Sequence, residues 1–386
     1  MTLANRVDGI APFHVMAILA RARELEAQGR NIIHLEIGEP DFPTPEPILN
    51  AALAAIKGGN VHYTPALGLP ELREAIAGFY RDRHGLTVDS SRIAVTPGAS
   101  GALLLAAGAL LDPGDEILLA DPGYPCNRHF ARFVNARPVS IAVGPDSGFQ
   151  LTASLVEQHW TENTKVVLLA SPSNPTGTLA QATEVRAITA LCADRQASLI
   201  VDEIYHGLVY EENPQTALTY SSKVWVVNSF SKYFHMTGWR LGWLVAPENA
   251  MEAIERLAQN LFLAAPTPAQ HGALAAFQPS TMEILEARRL ELKERRDFMV
   301  SALNELGFAL PAVPHGAFYL YADVSVFTND SFVFAQKLLE DVGVAVTPGL
   351  DFGAFSAERF VRFAYTRPLP ALKEAVERIR AFVRRQ

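Results

Sequence analysis

The sequence lacks any apolar run long enough to cross a membrane. Its most hydrophobic stretch, 101–111, is followed directly by Asp112-Pro113-Gly114 and is shorter than the roughly 18 residues that a membrane span needs. The N-terminal segment also lacks the apolar core of a secretory signal and the character of a transit peptide. We therefore expect no membrane span and a cytoplasmic location, and we interpret 101–111 as a buried helix.

Cysteine is scarce, and charge of one sign is not concentrated anywhere. The 386 residues include two cysteines, Cys126 and Cys192, which form neither a disulfide framework nor a metal-ligand cluster. The net charge is −8 and the pI about 5.7, with acidic and basic residues interspersed rather than massed into a patch that would follow a nucleic-acid backbone. The sequence therefore predicts reduced thiols, no metal site and no nucleic-acid partner.

Internal repeats and low-complexity segments are also missing, which excludes solenoids and linker-rich scaffolds. What is present is an alternation of short β-rich runs with segments of helical periodicity. The β-rich runs are 92–95, 116–120, 165–170, 198–201, 223–228 and 240–245. This order predicts an α/β fold in which a largely parallel sheet has helices on both faces.

A chain of this length predicts two domains. We assign 46–290 to a large domain that contains the sheet. The charge pattern of 282–306 predicts a long exposed helix leading into a C-terminal domain, 291–386. From residue 307 that part reads strand, strand, helix, strand, strand, helix, as in a small α+β domain. The N-terminal segment, 1–45, contributes a helix and a strand (31–36) and is expected to pack with it.

The segment 228–243, NSFSKYFHMTGWRLGW, carries the strongest chemical signal. Because it follows a predicted core strand, Lys232 is expected at the carboxyl end of the sheet, where open α/β folds bind ligands. A buried lysine beside other cations has a lowered pKa and attacks aldehydes. Ser229, Ser231 and Arg240 offer donors suited to a phosphate dianion. Taken one by one, these residues also fit a surface lysine, a turn and a surface charge.

Two other segments indicate charge recognition. The run 96–101, TPGASG, follows a strand and opens an apolar helix, so its free N–H groups predict an anion site. It lacks the full G-x-G-x-x-G pattern, which disfavours a dinucleotide fold. Asp202 ends a hydrophobic run, and a partly buried carboxylate needs a cationic partner. A metal site at Asp202 and Glu203 is a weak alternative, because no histidine or third carboxylate stands near in sequence.

The pattern SFSK, seven residues, then RLGW resembles the cofactor-lysine signature of the class I and II aminotransferases, a pyridoxal 5′-phosphate (PLP) family that includes aspartate, alanine and aromatic aminotransferases. Other family motifs follow in the right order along nearly the whole chain: TPGASG at 96–101, DPGYP at 121–125, SPSNPTG at 171–177 and DEIY at 202–205. The resemblance implies a large domain with a mostly parallel seven-stranded sheet, a smaller α+β domain built from both terminal segments, and a homodimer.

The resemblance also implies residue roles. Lys232 would hold PLP as a Schiff base, and Tyr124 would stack on the pyridine ring. Asn174 and Tyr205 would bond the phenolic oxygen, and Asp202 would pair with the protonated ring nitrogen and keep the ring electron-withdrawing. The full set expected to hold the cofactor is Ala99, Ser100, Tyr124, Asn174, Asp202, Tyr205, Ser229, Ser231, Lys232, Arg240 and, from the neighbouring subunit, Tyr63.

For the substrate, the resemblance implies that Arg362, in ERFVRFA at 358–364, grips the α-carboxylate. The backbone of Gly38 and the Asn174 side chain would lie beside it. The expected reaction is a ping-pong transamination between an L-amino acid and a 2-oxo acid, with Lys232, Asp202 and Tyr205 as catalytic residues. The predicted helix 102–111 contains no cation for a second carboxylate, which favours a neutral amino acid, aliphatic or aromatic. Recognition of a second carboxylate by the N-terminal arm or the other subunit, for instance through Arg6 or His14, stays open.

Three alternatives stay open from the residues. A PLP lyase, such as a carbon–sulfur β-lyase, or a synthase on the same scaffold would share nearly every residue named. A non-catalytic regulator of the PLP fold would need a DNA-binding domain, for which the chain offers no basic segment. A nicotinamide-dependent oxidoreductase is disfavoured by the missing glycine fingerprint. His235, three residues after the lysine, is a departure for which we expect a packing role rather than a catalytic one.

Overall fold

The structure, a computed structural model, describes residues 3–385. Twelve α-helices and twelve β-strands lie in this range. The helices are α1 His14–Ala27, α2 Glu46–Lys57, α3 Pro70–His84, α4 Gly98–Leu110, α5 Pro125–Phe133, α6 Ala153–Gln158, α7 Ala182–Asp194, α8 Met251–Leu261, α9 Thr267–Leu274, α10 Pro279–Glu305, α11 Ser331–Val342 and α12 Leu369–Val383. The strands are β1 Ile33–His34, β2 Ile93–Thr96, β3 Glu116–Asp121, β4 Arg137–Ala142, β5 Thr164–Ala170, β6 Ser198–Asp202, β7 Trp225–Ser229, β8 Gly242–Val245, β9 Tyr319–Asp323, β10 Val344–Ala345, β11 Thr347–Pro348 and β12 Phe360–Ala364.

A seven-stranded sheet forms the centre of the molecule, in the order β2-β8-β7-β6-β5-β3-β4. β8 runs antiparallel to both of its neighbours, and all other pairs are parallel. The middle strands are short apolar runs that are buried on both faces, as parallel strands under helices require. The predicted α/β class and the mostly parallel sheet are confirmed.

The sequence patterns missed one strand of this sheet. β4 lies at the edge and pairs with β3 alone within the described sheet. Its residues are mostly exposed or half-buried, and it contains Pro138, which cannot donate to a neighbouring strand. Edge strands tolerate proline and need no continuous apolar run. For that reason the strand gave no β-rich signal.

Two small sheets join the terminal segments. β1 pairs in parallel with β10, which brings the N-terminal segment onto the C-terminal one as expected. β11, β12 and β9 form an antiparallel sheet. The predicted strand at 31–36 is limited to Ile33–His34, and the first strand expected after residue 307 is only an isolated bridge between Ala309 and Asp323. α10 runs through residue 290, so the proposed domain limits at 45 and 290 stay predictions.

The direction of the strands explains where ligand-binding residues gather. Because β2, β3, β5, β6 and β7 all point the same way, their carboxyl ends meet at one edge of the sheet. The segment that enters antiparallel β8 starts at the same edge. Each of the motifs expected to bind the cofactor follows one of these ends or precedes β8, whereas the motif at 358–364 lies on and before β12. Among the helices within residues 3–385, none has the length and apolarity of a membrane span.

Candidate active site

A cavity of about 530 Å³ lies at this edge of the sheet. Twelve of the thirteen residues predicted for the site line it: Gly38, Ala99, Ser100, Tyr124, Asn174, Asp202, Tyr205, Ser229, Ser231, Lys232, Arg240 and Arg362. They come from seven separate parts of the chain. The thirteenth, Tyr63, does not line the cavity.

Lys232 lies just after β7, with its side chain inside the cavity. Its Nζ donates to the carbonyl oxygen of Gly38 at 2.7 Å. Burial, together with the positive charges of Arg362 and Arg240, lowers the pKa of Lys232 to about 8. A larger fraction of the amine is therefore neutral near pH 7 than for an exposed lysine, and the neutral amine is the nucleophilic form.

Asp202 occupies the end of β6, the central strand, and is 5% exposed. Its hydrogen bond within the described residues is from the backbone N–H of Ile204, at 3.2 Å. Burial raises the pKa of this carboxyl to about 7, and the charge of Lys232 opposes that rise. A carboxylate so poorly compensated is a suitable partner for a cation that enters the cavity, as the protonated ring nitrogen of PLP would.

The start of α4 forms an anion cradle with Arg240. Gly98 has φ +72°, and a Cβ added there would lie 2.6 Å from Nη2 of Arg240, so the guanidinium lies against the first residue of the helix. A Cβ on Gly242 would lie 2.7 Å from the backbone nitrogen of Ala99, so glycine allows β8 to approach the helix. Helix N–H groups and a guanidinium together bind a phosphate dianion. The cradle therefore fits the PLP phosphate.

The two serines of the lysine segment lie beside this cradle. Ser229 is buried at the end of β7, and its Oγ accepts the backbone N–H of Ser231 at 3.0 Å. The Ser229 hydroxyl also donates to the carbonyl of Leu241 at 3.3 Å, close to the start of β8. These bonds fix the turn that connects β7 to Lys232. Both serines line the cavity, as do Lys232 and Arg240.

Arg362 lies on β12 and is held from several directions. Its Nη1 donates to Oδ1 of Asn174 at 2.9 Å, and its Nη2 donates to the carbonyl of Glu36 at 2.6 Å and to Oγ1 of Thr347 at 3.1 Å. The rings of Tyr319 and Phe352 flank the guanidinium at 4.2 and 4.9 Å from Cζ. Nε is buried and has no hydrogen-bond partner within residues 3–385. The fork is thus oriented before any substrate arrives.

Tyr319 belongs to the site, although the motifs did not indicate it. Its hydroxyl lies 3.0 Å from the hydroxyl of Tyr205, and burial raises the pKa of both phenols. A Cβ on Gly38 would collide with the Tyr319 hydroxyl. That contact explains why glycine stands at position 38. Its carbonyl, expected near the substrate carboxylate, accepts from Lys232 here.

Further residues that the motifs missed come from α1 and from the segment before β12. Phe13, Met16 and Leu19 line the cavity at intervals of three residues, as one face of a helix does. That spacing was the available signal. Asp351 and Phe352 line the cavity as well, and nothing local in the sequence pointed to them.

His235 is 4% exposed and packs against Phe42, with ring centroids 5.2 Å apart. Its carbonyl accepts from Thr44 Oγ1 at 2.9 Å. Burial, with the positive charges of Arg288 and Arg295, lowers the pKa of the imidazole to about 3. His235 is therefore neutral in the folded protein and packs the turn after Lys232 against the segment that leads into α2.

Tyr63 lies in the segment after α2 and is 84% exposed. Other large apolar side chains on and near α2 and at the end of α8 are also exposed: Leu49, Leu53, Ile56, Val61, Leu261 and Leu263. An exposed apolar surface of this kind on an otherwise well-packed protein is typical of a protein interface.

Comparison with known proteins agrees with this geometry. The model of the family described as aminotransferase class I and II matches residues 30–379. A valine–pyruvate aminotransferase of Mycobacterium tuberculosis is 40% identical over 373 residues, which cover 96% of each chain. Among solved structures, an aminotransferase from Mycobacterium tuberculosis has a TM-score of 0.97 at 40% identity and full coverage of both chains. Aspartate aminotransferase from Thermus thermophilus with maleate has a TM-score of 0.93 at 34% identity and 99% coverage of both.

The chain therefore belongs to the aminotransferase class I and II family. It is a PLP-dependent aminotransferase. The family, the cofactor and the class of enzyme expected from the sequence are confirmed. The roles of the individual site residues stay predictions, because the comparisons do not test them.

Proposed function

We propose that the enzyme transfers the amino group of an L-amino acid to a 2-oxo acid by a ping-pong mechanism, with Lys232, Asp202 and Tyr205 as catalytic residues. The observation that carries this proposal is the meeting of four charged groups in one cavity. These are the Lys232 amine, the buried Asp202 carboxylate, and the guanidinium groups of Arg240 and Arg362. In that order, these groups suit the aldehyde, the ring nitrogen and the phosphate of PLP and the α-carboxylate of the substrate.

Each residue has a separate task in this proposal. When bound, PLP supplies an electron-withdrawing ring that stabilises the negative charge left when the substrate Cα loses its proton. Lys232 would bind the cofactor aldehyde. Once displaced by the substrate amine, it would take the proton from Cα as a general base and deliver it to the former aldehyde carbon of the cofactor as a general acid. Asp202 holds the positive charge of the ring nitrogen in a buried setting, where that pairing is strong.

Arg240, the start of α4 and the serines Ser229 and Ser231 fix the phosphate end. Arg362 holds the α-carboxylate through its guanidinium fork. Tyr205 and Asn174 would donate to the phenolic oxygen, and Tyr124 would stack on the ring. Displacement of the Lys232 amine from the Gly38 carbonyl, where it now donates, frees the amine for reaction.

A PLP lyase would use most of the same groups, so product analysis is the decisive experiment. The purified holoenzyme is incubated with L-valine and pyruvate, the pair in the name of the Mycobacterium tuberculosis relative. Transamination yields L-alanine and 3-methyl-2-oxobutanoate in equal amounts, without ammonia. Release of ammonia or of a thiol from a sulfur-containing amino acid, without amino transfer to any 2-oxo acid, would contradict the proposal.

We also propose a homodimer in which Tyr63 of one subunit reaches the cofactor phosphate of the other. The exposed apolar side chains around α2 and the 84% exposure of Tyr63 support an interface there. A cytoplasmic location is proposed as well. It is supported by Cys126 and Cys192, both free thiols, as expected in a reducing compartment.

Subunit mixing tests the shared site. Lys232→Ala and Tyr63→Ala subunits are each made, mixed, and allowed to exchange. In a mixed dimer, one site combines an intact Lys232 with an intact partner tyrosine, while the other site lacks both. Tight PLP binding should therefore return at one site per mixed dimer. If Tyr63 acted within its own subunit, no mixed site would be intact, and mixing would restore nothing.

A further inference from the structure

Part of the cavity wall is apolar and comes mainly from α1. Phe13, Val15, Met16 and Leu19 line the cavity that also contains Lys232 and Arg362. Leu103 of α4, Ile37 and Phe352 are further apolar residues of the cavity lining. Met16 is 55% exposed although it is a large hydrophobic side chain, so its surface is available to a ligand.

The charges of the lining oppose a second carboxylate. Among the described residues that line the cavity, the cations are Lys232, Arg240 and Arg362. Each already has a task in the proposed function: the cofactor aldehyde, its phosphate and the substrate α-carboxylate. Glu39 and Asp351 add negative charge to the same lining. A substrate side chain that enters beside α1 therefore meets apolar surface and no free cation of the described chain.

Asp351 holds the start of α1. The helix has no cap of its own, because its N-cap residue, Phe13, offers no side-chain acceptor. Instead, the backbone N–H groups of His14 and Val15 donate to Oδ1 and Oδ2 of Asp351 at 2.5 and 2.8 Å. Asp351 is 4% exposed. A carboxylate at a helix N-terminus satisfies N–H groups that the helix leaves free and also complements its dipole.

The same short segment contacts the substrate-binding arginine. The ring of Phe352 lies 4.9 Å from Cζ of Arg362. The carbonyls of Asp351 and Phe352 accept from Arg128 of α5 at 3.0 and 3.3 Å, which fixes the segment to the large sheet's side of the cavity. Asp351 therefore sets the position of α1 relative to the group that holds the substrate carboxylate.

From these contacts we propose that Asp351 positions α1 as an apolar wall, and that this wall selects amino acids with an apolar side chain over dicarboxylic ones. The inference rests on the proposed function, because it needs Arg362 to hold the α-carboxylate. Asp351 acts here as a positioning residue. The wall itself is provided by Phe13, Met16 and Leu19.

The first test compares substrates in the wild-type holoenzyme. The half-reaction is followed by absorbance with L-leucine, L-phenylalanine, L-alanine, L-aspartate and L-glutamate. We expect kcat/KM for leucine and phenylalanine to exceed that for aspartate and glutamate by at least about ten-fold, a normal discrimination for an apolar pocket. A higher kcat/KM for aspartate or glutamate overturns the inference and leaves transamination intact. Failure with every amino acid instead counts against the proposed function.

The second test removes the anchor. In Asp351→Ala we expect kcat/KM for leucine to fall about ten-fold and that for alanine less than about three-fold, because the alanine methyl does not extend to the wall. Asp351→Asn keeps one oxygen acceptor, so its kcat/KM for leucine should lie between the values for the wild type and for Asp351→Ala. An equal fold-decrease in kcat/KM for leucine and for alanine would show a general structural role and would overturn the positioning role of Asp351.

The chain offers a matched control in Asp330. This carboxylate caps α11 by accepting from the N–H groups of Phe332 and Val333 at 2.9 and 3.1 Å, and it does not line the cavity. Asp330→Ala also loses a carboxylate that caps a helix, so it controls for the loss of a helix cap away from the cavity. The ratio of kcat/KM for leucine to kcat/KM for alanine in Asp330→Ala should equal that of the wild type.

Two readouts do not depend on turnover. Amide hydrogen exchange at residues 14–18 of the holoenzyme should be faster in Asp351→Ala than in Asp330→Ala. Calorimetric binding of the unreactive 4-methylpentanoate should weaken more than that of propanoate. If Asp351→Ala does not fold, Met16→Ala and Leu19→Ala test the wall directly. An unchanged leucine-to-alanine ratio in both of these variants overturns the inference.

Discussion

The two sides of the cavity are built in different ways. The cofactor side consists of short segments that each follow, or directly precede, a strand of the seven-stranded sheet, such as 96–101, 202–205 and 229–240. The substrate side combines α1, the segment around Gly38 and the segment from Asp351 to Arg362, which are far apart in the chain. A rigid sheet edge fixes the first set, and long-range packing fixes the second. The cofactor side therefore has local sequence motifs, while the substrate side is assembled from residues that have few such motifs.

The largest effect is expected at the centre of the cofactor side. Lys232→Ala should lower kcat by at least about 10⁴-fold, because both the covalent attachment and the general base are lost. The visible absorption of the lysine-bound cofactor should disappear at the same time. Lys223→Ala, which removes an exposed lysine shortly before β7, is the control and should change neither. Turnover close to wild type without Lys232 would mean that the cofactor side has been misassigned.

Asp202→Asn should lower kcat by about 10² to 10³-fold, because the neutral amide no longer holds a charge on the ring nitrogen. PLP affinity should fall much less, since the phosphate cradle and Lys232 are untouched. Steady-state kinetics and a titration of the apoenzyme with PLP measure the two effects. Equal losses in turnover and in affinity would assign Asp202 to binding and remove its electronic role.

On the substrate side, Arg362→Ala should lower kcat/KM by roughly 10²-fold, because a buried charged hydrogen-bonding group is lost from the carboxylate site. The cofactor absorption should stay, which distinguishes this side from the first. Arg359→Ala is the control: its guanidinium pairs with Asp323 at 2.5 Å, and its side chain is 51% exposed, so little change is expected. Loss of cofactor absorption in Arg362→Ala would mean that the two sides are not separate.

The smallest effect concerns the contact between the two sides at His235. Its pKa of about 3 in the folded protein lies below the unfolded value near 6.5, so the unfolded state takes up the proton first as pH falls. His235 therefore contributes stability that is fully present above pH 6.5 and decreases towards pH 3, by at most about 2 kcal/mol at pH 5.

Denaturant unfolding between pH 7 and pH 4.5 measures this contribution. His235→Leu should flatten the fall of the unfolding free energy over that range, whatever constant offset the substitution adds. His159→Leu, at an exposed position, is the control for removal of a histidine side chain. If both variants show the same slope as the wild type, His235 is not protonated on unfolding in this range.

The cofactor side was largely predictable from the sequence for a physical reason. Five parallel strands end at one edge, so motifs after strands meet there once the sheet forms. Lys232 and Asp202 could therefore be placed together without a structure. The hydrogen bond from Lys232 to Gly38 could not be predicted in this way, because it joins residues 194 positions apart in the chain.

Elsewhere the sequence patterns gave weaker signals. β4 went unrecognised because an edge strand needs no continuous apolar run. Tyr319 is one of three aromatic residues within 318–321 and belongs to no motif, and its contact with Tyr205 joins residues 114 positions apart in the chain. Asp351 gave no local signal, because the helix it caps lies at the other end of the chain.

By itself, the sequence determined the fold class, the family, the cofactor and a set of residues for one site, because strand order and local motifs carry that information. The tertiary structure decided how the site is completed: which carbonyl holds Lys232, what orients Arg362, and which carboxylate anchors α1. Those contacts join segments from both ends of the chain. They depend on packing geometry, which periodicity and spacing do not encode.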